Sequence, residues 1–189
     1  MRHRGRYGLV ALDGPDFRHP GNSTRVGTAA GESLALATGR GHDTLSNIDH
    51  LSPYIADEDV VLIGMRDDDD FRDKVEATFT SLRASTVSDN GTQSAVRNAR
   101  WHLSGVDGFW LHLDADVLDP SIMPAVDTPE PNGLTWTQLR DLLTGLLSSP
   151  GCIGMDVTIL DPLLDPDGNA VSELTNVIVG AINANHVPR

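Results

Sequence analysis

Short apolar runs alternate along the chain with longer segments whose apolar residues recur at helical spacing. Four runs bounded by Gly, Pro or Asp predict buried strands, at 7–12, 60–65, 106–113 and 153–160. Five segments predict helices, at 31–38, 71–82, 93–103, 135–147 and 169–186. Nearly continuous apolar strands that alternate with helices are typical of a mostly parallel sheet covered on both faces. The pattern therefore predicts a three-layer αβα fold.

Composition narrows the class of protein. The 189 residues are 39% apolar, a length that suits one hydrophobic core, so we expect a single domain over 1–189. One cysteine, Cys152, offers no disulfide framework, and the chain has no apolar run long enough to cross a membrane. The first apolar run is also too short for a signal peptide, so we expect a cytoplasmic protein that does not enter a membrane.

The net charge of -13 indicates the kind of partner. Nucleic acid is disfavoured, because phosphate binding needs clustered Lys and Arg. Cations and cationic small molecules fit better. The acidic run 67–70 precedes the predicted helix at 71, where carboxylates favour the positive end of the helix dipole, so we assign it a structural role.

Asp114 and Asp116 follow the third predicted strand. Alternate side chains of an extended chain face the same way, so the two carboxylates should converge, and their repulsion is relieved well by a divalent cation. Asp13 and Asp16 follow the first strand, and the carboxyl ends of parallel strands meet at one sheet edge. A second interpretation stays open, in which these acids cap the following loop or helix.

Three motifs resemble the ureohydrolase superfamily of arginases, agmatinases and formimidoylglutamases. Residues 113–120, Leu-Asp-Ala-Asp-Val-Leu-Asp-Pro, resemble the family's metal-binding strand, Ser-Phe-Asp-x-Asp-x-x-Asp-Pro. Residues 13–17 resemble its Asp-Ala-His-x-Asp motif, and residues 63–67 resemble Ile-Gly-x-Arg-Asp. The motifs occur in the family's order and cover most of the chain. The resemblance implies an arginase-like fold that lacks the family's first strands.

The resemblance also implies a metal site. The family holds two manganese ions with four aspartates and two histidines, and a hydroxide that bridges the ions attacks a guanidinium or amidine carbon. By motif position, the implied ligands here are Asp13, Asp16, Asp114 and Asp116, with Asp119 in support. One or two manganese ions are the implied cofactor, and no side-chain nucleophile is expected.

This sequence departs from the family pattern at several positions. Pro15 stands where a histidine ligand is expected, and Asp16 takes the motif's last position if one residue is deleted, since strict spacing would place Phe17 there. The motif that supplies the other histidine would precede Asp13 and is not in this sequence, so we expect a chain shortened at its N-terminus. Ile159 replaces a substrate-binding glutamate, and the loop at 27–31 lacks the histidine that arginases have there.

Two functional hypotheses follow from the resemblance. The first is a manganese-dependent hydrolase that cleaves a linear C–N bond of a small guanidino or amidino compound. The second is a degenerate or truncated family member that keeps the fold without catalysis, either with or without partial metal binding. His112 shares its facing with Asp114 by strand alternation and is a candidate to orient a ligand. Family members are commonly oligomeric, so a homo-oligomer is also consistent with the resemblance.

Overall fold

The computed structural model describes residues 5–14, 17–22 and 28–185. Five strands are present in this part, β1 (Tyr7–Leu12), β2 (Val60–Ile63), β3 (Thr80–Leu82), β4 (Gly108–Asp114) and β5 (Cys152–Thr158). Seven α-helices accompany them, α1 (Ser33–Ala37), α2 (Asp43–Ser46), α3 (Arg72–Thr78), α4 (Ala84–Asn90), α5 (Thr92–His102), α6 (Trp136–Leu147) and α7 (Asn169–Ala184). Short 3-10 turns lie at Ile48–His50, Asp57–Asp59, Leu103–Gly105, Ala115–Val117 and Pro162–Leu164.

The five strands form one parallel sheet in the order β3-β2-β1-β4-β5. Alternate residues of each strand face opposite sides, which gives the sheet two apolar surfaces. Helices α4 to α7 contribute buried residues to the core on one surface, with Val10 and Leu12 of β1. Helices α1 and α3 contribute to the core on the other, with Ala11. The predicted three-layer α/β architecture is confirmed.

The predicted helix at 71–82 is wrong in its second half. Helix α3 ends at Thr78, Phe79 is extended, and Thr80–Leu82 pair in parallel with Val61–Ile63 of β2. Apolar residues at 79 and 82 are three apart, which fits helical spacing, so only pairing with a neighbouring strand reveals the strand. Helix α4 was also missed, because its sequence ASTVSDN is mostly polar.

The carboxyl ends of β1, β4 and β5 meet at one edge of the sheet. Leu12 of β1 lies beside Leu113 of β4, and Asp114 lies beside Thr158 of β5. The residues that follow these strand ends therefore share one region of the surface. Within 5–14, 17–22 and 28–185, no helix combines the length and apolar character needed to cross a membrane.

Candidate metal centre

Three aspartates converge at this edge of the sheet. Asp13 directly follows β1, Asp114 is the last residue of β4, and Asp116 lies in the turn after it. One carboxylate oxygen from each lies within 4.8 Å of the oxygens of the other two. Asp13 and Asp114 are buried, and Asp116 is partly buried. The sequence prediction placed these three side chains in one site, and the structure brings them together.

The local backbone explains how Asp114 and Asp116 converge. Strand alternation ends at Asp114, and Ala115–Val117 form a 3-10 turn instead of continuing the strand. Oδ1 of Asp114 accepts a hydrogen bond of 3.0 Å from the backbone N–H of Asp116 and so caps this turn. Asp114 therefore caps the following turn, as the second interpretation predicted, and it also belongs to the carboxylate cluster.

The Asp116 carboxylate has one further hydrogen-bond donor beside it. The backbone N–H of Gly14, which follows Asp13, lies 3.4 Å from Oδ1 of Asp116. The pKa of Asp116 is raised to about 9, first by burial and then by the negative charges of Asp114 and Asp13, which outweigh the lowering by the Gly14 N–H and by Arg66. The cluster therefore favours a positive charge, either a proton at Asp116 or a cation.

The cluster lines a cavity of about 170 Å³. Asp69, Asp127 and Glu130 add three further acids to its wall, and Ile159 adds an apolar side chain. Arg18 is the one basic residue among the described residues that line it, and none of them is a histidine. Such a wall favours small cations over anions.

Asp16 lies outside the described residues, as does Pro15, so its proposed part in the site stays a prediction. Phe17, the next described residue, is fully buried in the core beside Phe79, with ring centroids 5.0 Å apart. Its ring belongs to the core between the sheet and helices α1 and α3.

Asp119 and His112 lie near the cluster but contact other groups. Asp119 accepts hydrogen bonds from the backbone and hydroxyl of Ser121 and from the backbone of Asn132, and the Ser121 bonds lower its pKa. It thus braces the loop after β4. The Nδ1 atom of His112 lies 2.7 Å from Oδ2 of Asp156, the residue beside it on β5. The His112 ring therefore hydrogen-bonds to β5.

Sequence reasoning missed residues that only the fold brings near the cluster. Thr158 hydrogen-bonds to Asp114 from the end of β5, and Asp69, Asp127 and Glu130 line the cavity wall. A signal existed for these acids, because all three lie in segments that follow β2 or β4. Loops at the carboxyl ends of parallel strands are where such folds bind ligands.

Sequence and structure comparisons with known proteins point to the same family. A sequence model described as Arginase family matches residues 17–183. The arginase of Bacillus subtilis (strain 168) is 26% identical over 184 residues, which cover 95% of this chain and 62% of that protein. The crystal structure of the Bacillus caldovelox arginase superposes with a TM-score of 0.85 at 28% identity, covering 99% of this chain and 62% of that one.

A more distant structure shares the fold alone. The formimidoylglutamase of Bacillus subtilis superposes with a TM-score of 0.77 at 17% identity. In each of these comparisons the chain spans less than two thirds of the length of the protein it matches.

Proposed function

The chain belongs to the arginase family, and from that premise we propose that it binds a divalent cation of the manganese type and hydrolyses a linear C–N bond of a small guanidino or amidino compound. The proposed ligands are Asp13, Asp114 and Asp116. Asp16, outside the described residues, is proposed as a fourth.

The convergence of three carboxylates at a partly enclosed cavity carries this proposal. Hard oxygen donors suit manganese or magnesium, and the preference for a proton at Asp116 is what burial beside two other carboxylates produces. A divalent cation would neutralise this charge. The donor set therefore fits the metal that the family resemblance implies.

The chain's own residues would orient the metal ligands and attract the substrate. A bound ion of this kind polarises a water molecule and lowers its pKa. The turn that joins Asp114 and Asp116, and the Thr158 hydrogen bond to Asp114, would orient these carboxylates as ligands. The acids Asp69 and Glu130 on the cavity wall would attract the cationic group of the substrate.

A second candidate function is a family member that retains the fold and binds metal without catalysis. One residue of the cavity wall supports this candidate, because Ile159 cannot pair with a guanidinium as a carboxylate would. Pro15 also offers no donor atom in its side chain. The two candidates share a metal site and differ in turnover.

Metal analysis combined with turnover separates the candidates. The purified protein is titrated with Mn²⁺ by calorimetry, and urea or ammonia release is measured from a panel of guanidino and amidino compounds. Stoichiometric Mn²⁺ with turnover supports hydrolysis, and Mn²⁺ without turnover supports the second candidate. Failure of the protein to bind Mn²⁺ would refute both.

Matched variants identify the ligands in the same experiment. Asp114→Asn replaces one ligand oxygen by an amide and should abolish binding of stoichiometric Mn²⁺. Asp89→Asn makes the same change at an exposed residue of α4 and should leave binding unchanged. Equal loss of Mn²⁺ binding in both variants would indicate a general effect of charge and would contradict the assignment of Asp114 as a ligand.

A further inference from the structure

Arg66 is a buried arginine at the base of the carboxylate cluster. It follows β2 by three residues, and its accessibility is 2%. In the part of the chain that the structure describes, its hydrogen bonds all go to backbone carbonyl groups. A buried guanidinium needs such partners, because removal of its charge from water is costly.

These bonds join three separate segments. Nη1 donates to the carbonyl oxygen of Gly64 at 2.9 Å and lies 3.3 Å from that of Val117. Nη2 donates to Asp116 at 2.6 Å and to Glu130 at 3.1 Å, with Leu118 at 3.3 Å. One side chain therefore ties the end of β2 to the turn after β4 and to the loop that reaches Glu130.

The Asp116 backbone is consequently held on both sides of its Cα atom. Its carbonyl accepts from Arg66, and its N–H donates to the carboxylate of Asp114. These two bonds fix the peptide planes from which the Asp116 side chain projects. The direction of that carboxylate toward Asp13 and Asp114 therefore depends on the position of Arg66.

Gly133 shows how closely the guanidinium is enclosed. A Cβ atom at position 133 would lie 2.7 Å from Nη2 of Arg66 and 2.5 Å from the backbone nitrogen of Asp119. Both distances are shorter than a carbon–nitrogen contact permits. The guanidinium therefore occupies space that any side chain at 133 would take.

We propose that Arg66 is a positioning residue of the metal site, which sets the direction of the Asp116 carboxylate through the backbone of residues 116–118. The inference rests on the proposed function in one respect, namely that the cluster binds a cation. The guanidinium is required for this role because its planar fork reaches several carbonyls at once. A lysine ammonium is a compact point charge on a flexible stem and cannot do so.

The test compares Arg66→Lys with the same substitution at an exposed arginine elsewhere. Arg100 also joins two elements through neutral acceptors, bonding from α5 to Ser149 Oγ at 2.6 Å and to the Gly145 carbonyl at 2.7 Å, and it does not line the cavity. Mn²⁺ affinity is measured by calorimetry on folded protein. Arg66→Lys should weaken binding about 10–100-fold, as loss of groups that support metal ligands does, whereas Arg100→Lys should leave it unchanged.

A purely structural role gives a different result. Arg66→Lys would then lower the melting temperature and leave the Mn²⁺ affinity of the folded protein within the error of the parent, which overturns the proposal. If Arg66→Lys does not fold, Arg66→Gln takes its place, since a neutral amide buries no charge and cannot reach all of these carbonyls at once. Unchanged Mn²⁺ affinity in folded Arg66→Gln would overturn the proposal equally.

Amide hydrogen exchange on metal-free protein separates this inference from the proposed function. Amides of residues 116–118 should exchange about tenfold faster or more in Arg66→Lys, while those in α7 keep the parent's rates. A parent that binds no Mn²⁺ refutes the proposed function, and exchange then decides the role of Arg66. Unchanged exchange at 116–118 would show that Arg66 does not fix this backbone.

Discussion

The hydroxyl of Thr158 donates a hydrogen bond of 3.1 Å to Oδ2 of Asp114. The two residues end neighbouring strands and are directly paired in register. Oδ1 of the same carboxylate accepts from the Asp116 N–H, so Asp114 is oriented through both oxygens. The end of β5 therefore supports a proposed ligand on β4.

Thr158→Val is expected to weaken Mn²⁺ binding by about tenfold, because it removes the hydroxyl and keeps the side-chain shape. The free energy of unfolding should fall by about 1 kcal/mol, the usual net contribution of one hydrogen bond. Calorimetric titration and urea denaturation measure the two effects. Thr175→Val removes an exposed hydroxyl of α7 that bonds to the Val171 carbonyl and serves as the control. Equal Mn²⁺ affinity in both variants would contradict the prediction.

Metal-free protein should lose stability as the pH rises toward 9. The pKa of Asp116 is about 9 in the folded state against an ordinary value of 3.8, so the folded state binds more protons than the unfolded state between these values. The free energy of unfolding contributed by this group is therefore fully present below pH 3.8 and is lost as the pH passes through the folded-state pKa. Urea denaturation at pH 6, 7, 8 and 9 measures the decline.

Asp116→Asn isolates the contribution of this carboxyl group, because the amide is neutral throughout. The variant should have a flatter dependence on pH than the parent over the same range. Saturating Mn²⁺ should also reduce the decline in the parent, since a cation replaces the proton. A parent and variant with parallel pH profiles would refute the assignment of the shift to Asp116.

Much of the fold follows from local pattern. The runs ending at Leu12 and Leu113 could be predicted as strands because they are mostly apolar and are followed by acidic residues. Parallel pairing then brings the acids that follow them to one edge, so Asp13 and Asp114 could be grouped from the sequence alone. The strand at Thr80–Leu82 could not, because three residues carry too little periodicity and its pairing with β2 is long-range.

The supporting residues of the site depend on three-dimensional contacts. Arg66 bonds to backbone carbonyls, and the positions of these carbonyls cannot be read from the sequence. Nothing in the sequence distinguishes Thr158 from the other threonines, and only strand register places it beside Asp114. Phe17 could be excluded as a ligand by its chemistry, but its place in the core appears only once Phe79 is packed against it.

Phe17→Ala should therefore destabilise the fold strongly. The ring is fully buried and packs edge-to-face on Phe79, and removal of a buried aromatic side chain typically costs about 3–5 kcal/mol. Phe71→Ala, at a partly buried ring that packs against the same core, should cost less. Urea denaturation of both variants measures the difference. A smaller loss at Phe17 than at Phe71 would contradict the central position of Phe17 in this core.

Ile159 has a left-handed backbone, with φ of 67°, directly after β5 and on the wall of the cavity. A β-branched residue is strained there by about 1–2 kcal/mol, because its Cβ approaches the following carbonyl. Alanine keeps this Cβ and glycine lacks it. Ile159→Gly should therefore be more stable than Ile159→Ala by about 1 kcal/mol, after the entropy that glycine adds to the unfolded chain is included.

The same pair of substitutions at Val157 provides the control for this prediction. Val157 is an exposed residue of β5 that pairs in regular register with Leu113, where extended backbone places no penalty on Cβ. Alanine should there be more stable than glycine by about 0.5–1 kcal/mol, the ordinary order within a strand. Urea denaturation of the four variants measures both differences. If alanine is also the more stable residue at 159, the left-handed backbone at that position is not a source of strain.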